Sequence, residues 1–124
     1  MTEAASLPGE RPSSLVAFVS STDLDRSRAF YVGVLGLTEV ECNPFALVLR
    51  SGETVLRVTK VDSLTPQPFT VLGWSVPDVR AVPVEPIVYD GMGQDAHGVW
   101  TSPSGAQVRW FHDPDQNVLS LTQE

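Results

Sequence analysis

The chain is written twice, and that repeat limits what it can fold into more than any other feature. "LVAFVSS" (15–21) is rich in β-branched and aromatic residues and reads as a buried strand. Asp23, or Thr22 with Asp25, can cap a helix over "DLDRSRAFYVGVLGL". There Leu24, Ala29, Phe30, Val34 and Leu35 recur at helical spacing, and Gly36 stands where a left-handed cap is wanted. Strand-like "LTEVEC", "FALVLR" and "TVLRVTK" follow, the last two joined at "SGE". The second half repeats the grammar. "TVLGWSV" predicts a strand and "PDVRAV" a helix start. "PIVYD", "GVWTS", "AQVRWFH" and "NVLSL" supply strand material.

Two echoes in matching order support a duplication. Val16 precedes Asp23 by the same interval as Val71 precedes Asp78, and "TVLRV" at 54–58 matches "NVLSL" at 117–121. Arg57 thus occupies the place of Ser120. Two βαβββ units, 15–62 and 68–124, are expected to pair into one α+β domain spanning 15–124. Its architecture would be a curved, half-open barrel with helices outside and a central cleft. Residues 1–14, polar and proline-containing, read as a flexible tail. The second helix is stunted, because Pro83 and Pro86 stop it after about a turn and a half, at roughly 3 kcal/mol per interior proline.

Fifteen acids against eight bases give a formal charge of −7, which disfavours nucleic acid as a partner. No apolar run approaches the roughly 20 residues of a membrane span. The single cysteine, Cys42, excludes an internal disulfide and fits a reducing, cytoplasmic setting. No secretory leader, phosphate-cradling glycine loop or nucleophile elbow is legible.

"D-L-x-R-S-x-x-F-Y-x-x-V-L-G-L" with the late "W-F-x-D-P-D-x-N-x-L-x-L" resembles the vicinal oxygen chelate superfamily: glyoxalases, bleomycin-resistance proteins and extradiol dioxygenases. "HGVWTSPSGAQVRWFHDPDQNVLSL" is similar to small glyoxalase-like bacterial proteins, and the resemblance covers about residues 14–123. It implies four metal-ligand positions, which here are Val16, Arg57, Val71 and Ser120. A divalent ion wants imidazole, carboxylate or thiolate donors, and an arginine among them repels it. No cofactor is therefore expected, with a divalent metal held by Asp95, His97 and His112 as the minor alternative.

By strand parity and by analogy, Phe18, Ser20, Gly73, Ser75, Trp110 and His112 should share the cleft face with Arg57 and Ser120. Leu47 and Leu49 stand in the first unit where Trp110 and His112 stand in the second. Arg57 reads as an anchor for an anionic ligand, or else as a cation paired with a protein acid or snorkelling to water. Trp110 reads as a cleft wall or as core, and His112 as a ligand contact or a structural residue. Asp95 and His97 lie two apart, close enough to form a carboxylate-tuned base, though turn chemistry explains both residues equally well. Gln116 stands where relatives carry Gly, so that turn either avoids positive φ or bears strain.

Three functions compete: a metal-free protein that binds a small aromatic or anionic molecule; a lyase, isomerase or dioxygenase-type enzyme working without metal or with an unconventional one; and a scaffold whose cleft is vestigial. Trp74 and Val76, on the face left thin by the short second helix, predict an apolar patch that a homodimer would cover, with the N-terminal tail as the competing cover.

Overall fold

A computed structural model describes residues 14–124. All but the last residue of the expected tail lies outside these. β1 (Val16–Ser21) leads to α1 (Leu24–Tyr31), then β2 (Thr38–Cys42), β3 (Ala46–Ser51) and β4 (Thr54–Lys60). The second unit holds β5 (Thr70–Ser75), β6 (Val99–Thr101), β7 (Gln107–His112) and β8 (Val118–Gln123). Each unit makes its own four-stranded sheet, ordered β1-β4-β3-β2 and β5-β8-β7-β6. The first strand of each pairs parallel with the last, and the remaining pairs are antiparallel. The fold is the expected α+β arrangement of two repeated units, and the barrel is not closed.

The repeat extends to register. Phe18 pairs with Arg57 and Ser20 with Thr59; in the second sheet Gly73 pairs with Ser120 and Ser75 with Thr122. The equivalence of Arg57 with Ser120 is thus geometrical as well as sequential.

Asp23 caps α1 from an extended conformation, its carboxylate accepting from the amides of Asp25 and Arg26. The regular helix ends at Tyr31, earlier than the apolar spacing out to Leu35 predicts. The chain then winds through looser turns to Gly36 at φ 81°, where the Gly36 and Leu37 amides donate to the carbonyls of Val32 and Tyr31.

One side of each sheet faces a shared core. Leu47, Leu49, Leu56, Val58 and Val19 of the first unit join Phe111, Leu119, Leu121, Val99 and Val79 of the second. The α1 residue Phe30 lies 6.1 Å from Phe111 between ring centroids, and the Tyr31 hydroxyl donates to Asp113 at 2.7 Å.

The turn "DPDQN" fastens the halves at one end. Asp113 accepts from the amides of Asp115 and Asn117, from the Asn117 side chain and from Tyr31. Asn117 also reaches the Ser20 carbonyl at 3.1 Å. Asp115 accepts from the backbone and hydroxyl of Thr22 and from Arg26. Thr22 and Arg26 hold its carboxyl below the ordinary value against the opposing effect of burial, the largest single influence. Burial and the Asp113 carboxylate keep the Tyr31 phenol protonated. Gln116 does adopt positive φ, at 69°.

Three expectations need correction. The second helix does not form. Residues 77–84 make turns, with the Ala81 amide on the Asp78 carbonyl and the Val84 amide on that of Val82. Arg109 holds this segment in place. Arg109 is 6% exposed, and its guanidinium donates to four carbonyls: His97 at 3.0 Å, Val79 at 2.9 Å, Val82 at 2.8 Å and Val84 at 2.8 Å. A buried cation must find acceptors. Three of its four acceptors are carbonyls of the segment that two prolines keep out of a helix.

The expected strand "PIVYD" shrinks to one bridge between Pro86 and Phe111, with the Ile87 amide on the Trp110 carbonyl. Trp74 is not bare either. Its ring packs half-buried against the core, and its indole N–H donates to Ser51 Oγ at 3.1 Å, so the first unit shields part of the face that the missing helix leaves.

Candidate functional site

Alternation along β1 and β4 settles which way Arg57 points. Its neighbours Leu56 and Val58 are buried in the core, whereas Arg57 is exposed on the outer face of the first sheet. Val16 and Phe18 share that face, 42% and 64% exposed, with Ser20 half-buried. No acid pairs with Arg57 among the described residues. Leu47 and Leu49, expected on the cleft side, are fully buried in the core instead. Val48 faces Arg57 across β3 and β4, just as Trp110 faces Ser120 across β7 and β8. The second hairpin is one residue longer than the first, so the counterpart of Trp110 is Val48 and not Leu47, and a one-residue shift puts a side chain on the other face.

In the second sheet Ser120 lies between buried Leu119 and Leu121 and is half-exposed. A Cβ on Gly73 would collide with the Ser120 hydroxyl oxygen, so the serine fills the space that Gly73 leaves open. Val71, at the irregular step of β5, is 41% exposed, and Ser75 is exposed. Trp110 stands on the same face within an aromatic group: Tyr89 meets it edge-on at 5.7 Å, and Trp100 lies tilted at 6.2 Å. Tyr89 and Trp100 were not singled out from the sequence. Only the pairing of Trp100 with Val108, which puts it in phase with Trp110, could have found the second of them.

Gln94 shapes the loop that carries Tyr89. It accepts from the Tyr89 amide at 2.7 Å and donates to the carbonyls of Ile87 and Gly98, each at 2.8 Å.

The remaining candidates lie apart from this surface in role. Asp95 Oδ1 accepts from the amides of His97 and Val99, and Oδ2 pairs with Arg80 at 2.6 Å. The Val99 amide and the Arg80 guanidinium draw its carboxyl down to about 2. That carboxylate organises the loop and addresses the His97 backbone. His97 is exposed. His112, also exposed, borders a groove formed with Phe30, Val34 and the 83–87 segment. Among the described residues no three His, Cys, Asp or Glu side chains gather to hold a metal ion. The four positions implied by the resemblance carry no suitable donor set. Cys42 is an exposed free thiol. No helix among these residues is long and apolar enough to cross a membrane.

The chain matches no protein-family model and no curated protein. Its architecture is nonetheless shared. A lactoylglutathione lyase from Agrobacterium tumefaciens superposes with TM-score 0.67 at 16% identity, over 91% of this chain and 94% of that one. A member of the glyoxalase/bleomycin resistance protein/dioxygenase superfamily from Sphaerobacter thermophilus gives 0.66 at 20%, over 90% and 97%. The bleomycin resistance determinant encoded on transposon Tn5 gives 0.68 at 21%, over 90% and 98%. At these identities the likeness is one of fold. The chain has the vicinal oxygen chelate fold.

Proposed function

We propose that this chain is a metal-independent binding protein for a small aromatic or anionic molecule, with Arg57 as anchor and the Trp110 group as an aromatic wall. The observation that carries the reading is the content of the outer faces. At the four positions where metal-dependent members of the superfamily hold an ion, this chain offers two aliphatic residues, a permanent cation and a hydroxyl. A guanidinium there favours carboxylate or phosphate, in a two-pronged contact. Fold alone assigns no reaction.

Homodimerisation belongs to the same proposal. Val16 and Phe18 on β1 and Val71 on β5 are exposed apolar side chains on strands that lie beside each other. A second copy seated on them would shield that strip and enclose the ligand. The exposed free thiol of Cys42 supports a cytoplasmic location.

Native mass spectrometry of freshly purified protein, with elemental analysis after exposure to zinc, nickel or manganese, tests the reading. A retained organic ligand without stoichiometric metal is the expected result. One metal per chain, lost on mutating His97 or His112, would overturn it in favour of an enzyme with an unconventional metal site.

A further inference from the structure

A cavity of about 240 Å³ lies away from the outer faces, where the chain leaving α1 meets the β3–β4 turn and the second unit. Leu35, Leu37, Trp74, Val76, Val82 and Leu121 form its apolar wall. Its size exceeds that of an apolar cavity of roughly 150 Å³ that holds benzene. The pocket opens to the surface, so a ligand can enter without unfolding the core.

Its polar contribution is one-sided. Thr38 and Arg50, cross-strand partners on β2 and β3, stand at the lining together with Ser51. The Ser51 hydroxyl is already engaged by the Trp74 indole N–H at 3.1 Å, which fixes that ring as a rigid wall. Arg50 is exposed and has no acid partner among the described residues.

We propose that this cavity is a second binding site, separate from the outer-face site, for a small aromatic carboxylate. The ring would lie against Trp74 and Leu121, with the carboxylate directed to Arg50. Apolar burial supplies the attraction, and the guanidinium supplies the preference for an acid over a neutral arene.

The test uses the full chain carrying Trp100→Phe and Trp110→Phe, so that Trp74 is the only tryptophan and the aromatic wall of the outer face is altered. Benzoate and toluene are titrated against Trp74 fluorescence. The proposal expects a saturable response to both, with benzoate binding more tightly. Arg50→Met should weaken benzoate by roughly ten- to a hundredfold and leave toluene unchanged. Val76→Phe and Val82→Phe, each checked by thermal melting, should abolish both responses; two variants are used so that one folding failure does not void the test. No saturable response in the millimolar range, or equal loss of benzoate and toluene on Arg50→Met, would overturn the proposal. So would binding that survives in a folded, cavity-filled variant. None of these outcomes bears on Arg57, so the outer-face reading stands or falls separately.

Discussion

Gln116 shows what a single residue costs when the turn around it is fixed. Its positive φ is imposed by Asp113, whose backbone accepts from the Gln116 amide while its side chain collects Asp115 and Asn117. A side chain in the left-handed region costs about 1 kcal/mol, and the lack of a Cβ removes that cost. Gln116→Gly should raise stability by about 0.5–1 kcal/mol, read as a higher denaturant midpoint at unchanged slope. A lower midpoint would mean that the glutamine side chain makes a compensating contact.

Arg57 gives the opposite expectation. It is exposed and no described acid contacts it, so Arg57→Met should leave the melting temperature nearly unchanged. Affinity for an acidic ligand, once one is found, should drop by about ten- to a hundredfold in calorimetry. Equal affinities would assign Arg57 to the surface alone.

At the scale of elements, the segment 77–87 is where sequence reasoning and structure part. The strands, α1 and the Asp23 cap were legible because apolar period and capping chemistry are local signals. That Phe18 shares a face with Arg57, and Gly73 with Ser120, follows from parity along paired strands. The cleft-side assignment of Leu47 and Leu49 failed because parity does not carry through a turn of uncertain length. The absent second helix was half legible. Two prolines announced its weakness, but its replacement depends on Arg109, a distant residue whose partners are backbone carbonyls and leave no pattern in sequence.

Arg109→Met should therefore cost about 3–5 kcal/mol by stranding four acceptors. Arg109→Lys should recover only part of this, since one ammonium cannot serve carbonyls arranged around a planar fork. Urea denaturation of both variants checks the order. A loss under 1 kcal/mol for Arg109→Met would show that water substitutes readily.

The neighbouring loop carries the acid response. Asp95 falls from 3.8 to about 2 in the folded protein, so it binds protons more weakly folded than unfolded. Its contribution is fully present above about pH 4 and is lost as pH falls towards 2. Asp95→Asn keeps an acceptor for the His97 and Val99 amides but loses the pairing with Arg80. The variant should lose part of its stability at neutral pH and show a shallower decline between pH 4 and 2. An acid limb parallel to the wild type would rule Asp95 out as its source.

For the whole molecule, the halves are fastened by polar groups at one end and by Trp74 on Ser51 at the other, with a shared core between. The Trp74 indole is thus tied to the first unit, and among the exposed apolar residues Val16, Phe18 and Val71 lie on the outer faces. A homodimer through Val16, Phe18 and Val71 should scatter light as twice the 13.5 kDa chain at micromolar concentration. Phe18→Lys should return it to a monomer without lowering its melting temperature below that of the dissociated wild type. A wild-type monomer at those concentrations would remove this interface.

The Arg109 clamp has a further consequence for how the chain tolerates change. It grips Val79, Val82 and Val84 by their carbonyls, which every amino acid possesses, so it cannot tell one sequence from another. Ala81 faces solvent between two of those grips, and Glu85 does so just beyond the last. A surface held by its backbone and indifferent to its side chains is suited to diversification: a library at positions 81 and 85 should retain the fold across most of its members, provided Arg109 is left in place.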